Sequence, residues 1–135
     1  MGTLVVGYDG TDGARAALRA AVELGGELGD GVVAVFAYHV GRLGGEVSDY
    51  AAALHEHAQE VLAEARSLGG DGVEAIELEE YPAQALIAVA DERDARMIVV
   101  GSHAETPLRS VLVGSTPTKL LHLSQRPVLV VRGPD

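Results

Sequence analysis

The chain has 135 residues and a net charge of −10, a length that suits one domain with a core of its own. It contains no Cys, which excludes disulfides, thiolate zinc sites and thiol nucleophiles and fits a reducing cytoplasm. The acid excess disfavours a nucleic-acid partner, which needs a basic face; no apolar run reaches the roughly 18 residues of a membrane span, and no signal peptide is expected at the N-terminus.

Hydrophobic residues make up 47% of the chain, with no Trp and one Phe, so the core must be built from Val, Leu, Ile and Ala. Leu4 to Tyr8 is a short apolar run that predicts a strand, and Asp9 to Gly13 is a turn cluster. From Ala14 to Leu28 apolar residues recur at helical spacing. Gly29, Asp30 and Gly31 break the chain, and Val32 to Val40 reads as a buried strand without charge. Gly41 to Glu46 is glycine-rich. Ser48 is expected to cap a helix over Asp49 to Leu68, whose apolar stripe includes Leu54, Ala58, Val61, Leu62 and Ala65.

Val73 to Leu78 mixes apolar and acidic residues, as a strand near a sheet edge would. Pro82 suits a helix start, and Ala83 to Arg93 supplies the helix. Arg96 to Gly101 predicts a fourth strand, and Leu108 to Leu112 a short helical turn. Thr116 is expected as the N-cap and Pro117 as the first residue of a last helix, before a final strand over Pro127 to Val131. Strands alternating with helices imply an α/β fold, a doubly wound parallel sheet of five strands with helices on both faces. In such sheets ligands bind beyond the carboxyl ends of the strands, where the strand order switches. With the order 3-2-1-4-5, the ends at Asp9 and at Gly101-Ser102-His103 face each other.

The segment from Val99 onward carries the strongest signal. Gly101 ends a strand, and nine residues separate Ala104 from Gly114-Ser115-Thr116 at a helix start. Free N–H groups at a helix start favour phosphate, glycine lets backbone approach it, and hydroxyls add donors. Thr116 as a simple cap is the competing reading. Asp9 can accept from a nucleoside or close an Asx turn with Thr11, and the two are compatible. His103 and Arg109 lie in the same loop; with Lys119 and Arg126 they suit an anion, although Lys119 and Arg126 also read as ordinary surface charge. His55 and His57, two apart on a helix, point different ways and make a poor metal pair; His122 reads as structural or exposed. There is no P-loop and no Gly-x-Ser-x-Gly elbow.

In this order the pieces resemble the universal stress protein family across nearly the whole chain. Its ATP-binding members carry Gly, two residues, Gly, nine residues, then Gly and Ser or Thr. Gly101, Gly114 and Ser115 match that spacing, while Ala104 stands at the second glycine and Pro117 at a position that often holds Ser or Thr. Val5 to Thr11, His39-Val40 and Pro127 to Val131 resemble the family's first, second and last strands. The resemblance implies an adenine nucleotide alpha hydrolase-like domain over residues 1–135, binding ATP, or AMP or ADP, with or without Mg²⁺. It implies that Tyr8, Asp9, Thr11, Val40 and Val100 hold the nucleoside, and that Gly101, Ser102, His103, Ala104, Arg109, Gly114, Ser115 and Thr116 surround the phosphates. A cytoplasmic stress-regulatory module follows, homodimeric through the last strand (127–132), with slow ATP hydrolysis at most and no catalytic residue assigned. The alternative is a protein-interaction module without nucleotide.

Overall fold

Five short runs, four of them apolar and rich in β-branched residues and the remaining one mixed with glutamates, stack into one parallel sheet. The computed structural model describes residues 2–39, 47–102 and 115–133. Strand β1 (Thr3–Gly7) is followed by helix α1 (Asp12–Leu28), β2 (Gly31–Tyr38), α2 (Val47–Gly69), β3 (Val73–Glu79), α3 (Pro82–Glu92), β4 (Met97–Gly101), α4 (Ser115–Leu123) and β5 (Val128–Val131). The strand order is β3-β2-β1-β4-β5, with every pairing parallel. β1 is central, with Val5 paired to Val33 on one side and Ile98 on the other.

Alternation along β1 divides the core in two. Leu4, Val6 and Tyr8 point to the face covered by α1 and α2, where Leu18 and Leu62 are also buried. Val5 points to the opposite core, shared with Val33, Leu86 and Ile98 and with Leu120 of α4. β3, at the sheet edge, carries Glu74, Glu77 and Glu79 among its apolar residues, a composition that discourages edge pairing with another chain.

Several boundaries differ from those read in the sequence. α1 starts at Asp12, because Thr11, not a later residue, is its N-cap and accepts the Ala14 N–H. α2 starts at Val47, so Ser48 lies inside it rather than capping it. α4 starts at Ser115, so Thr116 is its second residue and Pro117 its third, instead of cap and first residue. Pro is tolerated there because the first-turn N–H groups have no intrahelical acceptor to lose. Val40, the glycine-rich 41–46 segment and the short turn expected at 108–112 lie outside the described residues. Among the described residues no helix is long and apolar enough to cross a membrane.

Candidate functional site

β1 leads leftward through α1 to β2, and β4 leads rightward through α4 to β5, so the chain parts at the carboxyl ends of these two neighbours. A cavity of about 220 Å³ opens there. One wall is the end of β1, with Gly7, Tyr8 and Asp9. Val100, Gly101 and Ser102 of β4 form the facing wall. Phe36 and Ala37 from β2 and Leu86 from α3 supply apolar surface, and Thr116 and Pro117 close the α4 side. Asp9 is the one charged side chain among the described residues that line it.

The β1–α1 turn is held by its own side chains. Asp9 Oδ1 accepts the Thr11 N–H at 3.1 Å and the Thr11 hydroxyl at 2.7 Å. Thr11 Oγ1 in turn accepts the Ala14 N–H at 3.2 Å. The Thr11 proton is therefore committed to Asp9, and Thr11 shapes the turn more than it offers a donor to the cavity. Asp9 is exposed, and its second carboxylate oxygen faces no described partner. The Asx turn thus engages one carboxylate oxygen of Asp9 and leaves the other without a partner among the described residues.

Tyr8 is 1% exposed. Its hydroxyl donates to Glu64 of α2, and burial, reinforced by that bond, pushes its phenol pKa well above the ordinary value. It stays a neutral donor, turned toward α2.

Gly101 has a steric reason to be glycine. A Cβ there would stand 2.3 Å from the backbone carbon and oxygen of Gly13 and 2.9 Å from the Ala14 nitrogen. A Cβ on Gly13 would meet the Ser102 carbonyl oxygen at 2.7 Å. The first turn of α1 thus rests backbone to backbone on the end of β4. Ser102 is tied to the segment after β5: its N–H donates to the Val131 carbonyl at 2.8 Å, and its Oγ accepts the Gly133 N–H at 3.4 Å.

The structure therefore brings together Tyr8, Asp9, Thr11, Val100, Gly101, Ser102 and Thr116, with Ser115 opening α4 beside them. Val40, His103, Ala104, Arg109 and Gly114 lie outside the described residues. Arg126 is engaged at the opposite end of the sheet, with Asp91 at 3.2 Å, Asp94 at 3.1 Å and the Ala95 carbonyl at 2.7 Å. His55 bonds Glu77 at 2.9 Å, whereas His57 packs edge-on against Phe36, so the two face different partners. Sequence reasoning missed Gly7, Phe36, Ala37, Pro82 and Leu86. The rule that ligands sit beyond carboxyl strand ends was applied to β1 and β4, and Phe36 and Ala37 lie at the neighbouring end of β2. Nothing in the local sequence marked Leu86, one turn into α3.

The sequence model of the Universal stress protein family matches residues 1–132. Universal stress protein YxiE of Bacillus subtilis is 30% identical over 148 residues, spanning 96% of this chain and 97% of its own. A solved universal stress protein of Archaeoglobus fulgidus shares 28% identity and superposes with a TM-score of 0.80, covering 97% of this chain and 98% of that one. A structure of the Archaeoglobus fulgidus universal stress protein in complex with dAMP shares 27% identity at a TM-score of 0.74, covering 97% and 98% of the two chains.

Proposed function

The chain belongs to the universal stress protein family, and on that premise we propose that it is a regulatory module that binds an adenine nucleotide in the cavity between β1 and β4. The observation that carries this is the cavity itself. It opens where the strand order switches, with an apolar slot of Phe36, Ala37, Leu86 and Val100 wide of one carboxylate, Asp9, and the start of α4 beside it. A slot suits a flat base, a carboxylate suits a ribose hydroxyl or an exocyclic amine, and a helix start suits a phosphate. The relative solved with dAMP supports the same ligand class.

A nucleoside monophosphate fits the described part of this site better than ATP with Mg²⁺. Pro117 removes one N–H from the first turn of α4, and the only charge lining the described cavity is negative. Both weaken the hold on a long polyanionic tail.

The protein is freshly purified and denatured, and any released nucleotide is identified. The stripped protein is then titrated calorimetrically with AMP, dAMP, ADP and ATP. Micromolar binding that Thr116→Asp abolishes supports the reading: the new carboxylate sits in the first turn of α4, where it suits the helix and repels a phosphate. No binding of any of the four at millimolar concentration overturns it.

Homodimerisation through β5 belongs to the same proposal. β5 is an edge strand, paired with β4 on one side alone, and it is wholly apolar, Val-Leu-Val-Val. Such an edge invites a partner strand. Leu129 is 38% exposed on it, and Leu121 and Leu123 of the neighbouring α4 are 63% and 54% exposed.

A further inference from the structure

The first residue before α3 is out of keeping with its position. Tyr81 is the N-cap of α3, in extended conformation, and makes no side-chain capping bond. Ser, Thr, Asp or Asn at that position would satisfy a free N–H of the first turn, and Tyr cannot. The ring is not buried in exchange, for Tyr81 remains 48% exposed. It lies instead against the ring of His39, with centroids 4.2 Å apart and planes 19° from parallel, and His39 is itself exposed. Two flat side chains are thus held together in water where helix stability favours a small polar residue.

The place of this pair explains it. His39 follows β2, whose Ala37 lines the cavity, and Tyr81 precedes Pro82, which lines it too. The pair joins the carboxyl end of β2 to the start of α3, His39 two residues beyond Ala37 and Tyr81 next to Pro82, so it borders the lining of the slot without being part of it. We infer that Tyr81, braced by His39, is the outer wall of the base slot, a specificity-determining residue that stacks on the ligand's nucleobase and takes no part in holding its phosphate. The inference rests on the nucleotide reading above. An aromatic face accepts any base, so Tyr81 contributes affinity for a base over a bare sugar phosphate, and the choice of adenine stays with the polar groups deeper in.

The test uses Tyr81→Asp, which removes the ring and supplies the missing cap. Its melting temperature is expected to rise by about 3 °C, so lost binding cannot be laid to a weakened fold. Its affinity for AMP is expected to fall about tenfold, the effect of losing one base–aromatic stack, while its affinity for ribose 5-phosphate is unchanged. Tyr81→Trp provides a second readout, because the chain has no other Trp: AMP should quench its emission and ribose 5-phosphate should not. AMP affinity equal to the parent's overturns the inference. So does an equal loss for AMP and ribose 5-phosphate, which would mean that the residue shapes the pocket and not the base contact. If the unsubstituted protein binds neither compound, the nucleotide reading itself fails and takes this one with it.

Discussion

Tyr8, at the end of β1, donates its hydroxyl to Glu64 of α2, and Arg15 of α1 donates to the same carboxylate oxygen at 3.0 Å. One carboxylate thus ties the cavity wall to two helices. Tyr8→Phe keeps the buried ring and is expected to cost about 1 kcal/mol, since Glu64 is 40% exposed and rehydrates. Glu64→Ala leaves the Tyr8 hydroxyl buried without an acceptor and is expected to cost more, about 2 kcal/mol. Denaturant unfolding of both single variants and the double variant measures the coupling. Additive effects would show that the bond carries no energy of its own.

Glycines 26 and 101 make opposite predictions. Gly26 lies inside α1 with nothing within 4 Å of a new Cβ, so Gly26→Ala should stabilise by roughly 0.5–1 kcal/mol through helix propensity and a less flexible unfolded chain. Gly101→Ala drives a methyl into the Gly13 backbone, which cannot rotate aside as a side chain can. It should destabilise by about 3 kcal/mol. Thermal unfolding of the pair decides it; a mild effect at Gly101 would mean that α1 is free to shift off β4.

The bond from Tyr38 to Glu77, 2.5 Å long, acts at both ends of the pH scale. Burial pushes the Glu77 carboxyl up, but hydrogen bonds from Tyr38, His55 and Gln59 outweigh it and hold its pKa below the usual 4.5. That contribution is present above the unfolded value and is lost as pH falls through the lower, folded one. The bond to Glu77, aided by burial, pushes the Tyr38 phenol from 10.0 up to about 12. Its contribution is complete below pH 10 and is lost as pH rises towards about 12. Tyr38→Phe should therefore flatten the alkaline limb of the stability profile and weaken the acid one. Unfolding measured across pH checks both, and an unchanged alkaline limb would count against the bond.

The edge strand supplies the test of assembly. Val128 and Val130 of β5 pack into the core on the α3 side, so a charge at Val130 would confound folding with association. Leu129, 38% exposed, is the cleaner position. Leu129→Glu should give folded monomers in sedimentation runs where the parent gives dimers. Dimers that persist would place the interface elsewhere.

Strand order, element sequence and the location of the crevice were legible because each rests on a pattern repeated many times over. β-branched runs alternate with helical stripes, and only parallel crossovers join them. The Asx turn at Asp9 was legible for a local reason, that Asp two residues before Thr closes its own loop. The start of α3 at Pro82 was legible as well, because Pro suits the first helical position, but the other helix starts were not. Asp12, Val47 and Ser115 begin their helices two residues before the expected places, because a helix start is chosen by the geometry of the arriving chain as much as by residue type. The packing role of Gly101 was also out of reach. Spacing identified it as part of a phosphate motif, whereas its contact with Gly13 joins residues 88 positions apart in the sequence. Tyr81 gave no signal at all, since its partner His39 lies 42 positions away in the chain.

The contact between Gly13 and the end of β4 leaves no room for sliding. Two backbones in direct touch behave as one solid piece, so the start of α1, the Asp9 turn and Gly101 form a jaw that cannot open without breaking the seam. The opposite side of the slot, lined by Pro82 and Leu86 of α3 and Thr116 and Pro117 of α4, carries no such seam among the described residues. The cavity is a vice with one jaw set by backbone contact, so a substitution that breaks the seam, such as Gly101→Ala, should distort the cavity as well as the fold.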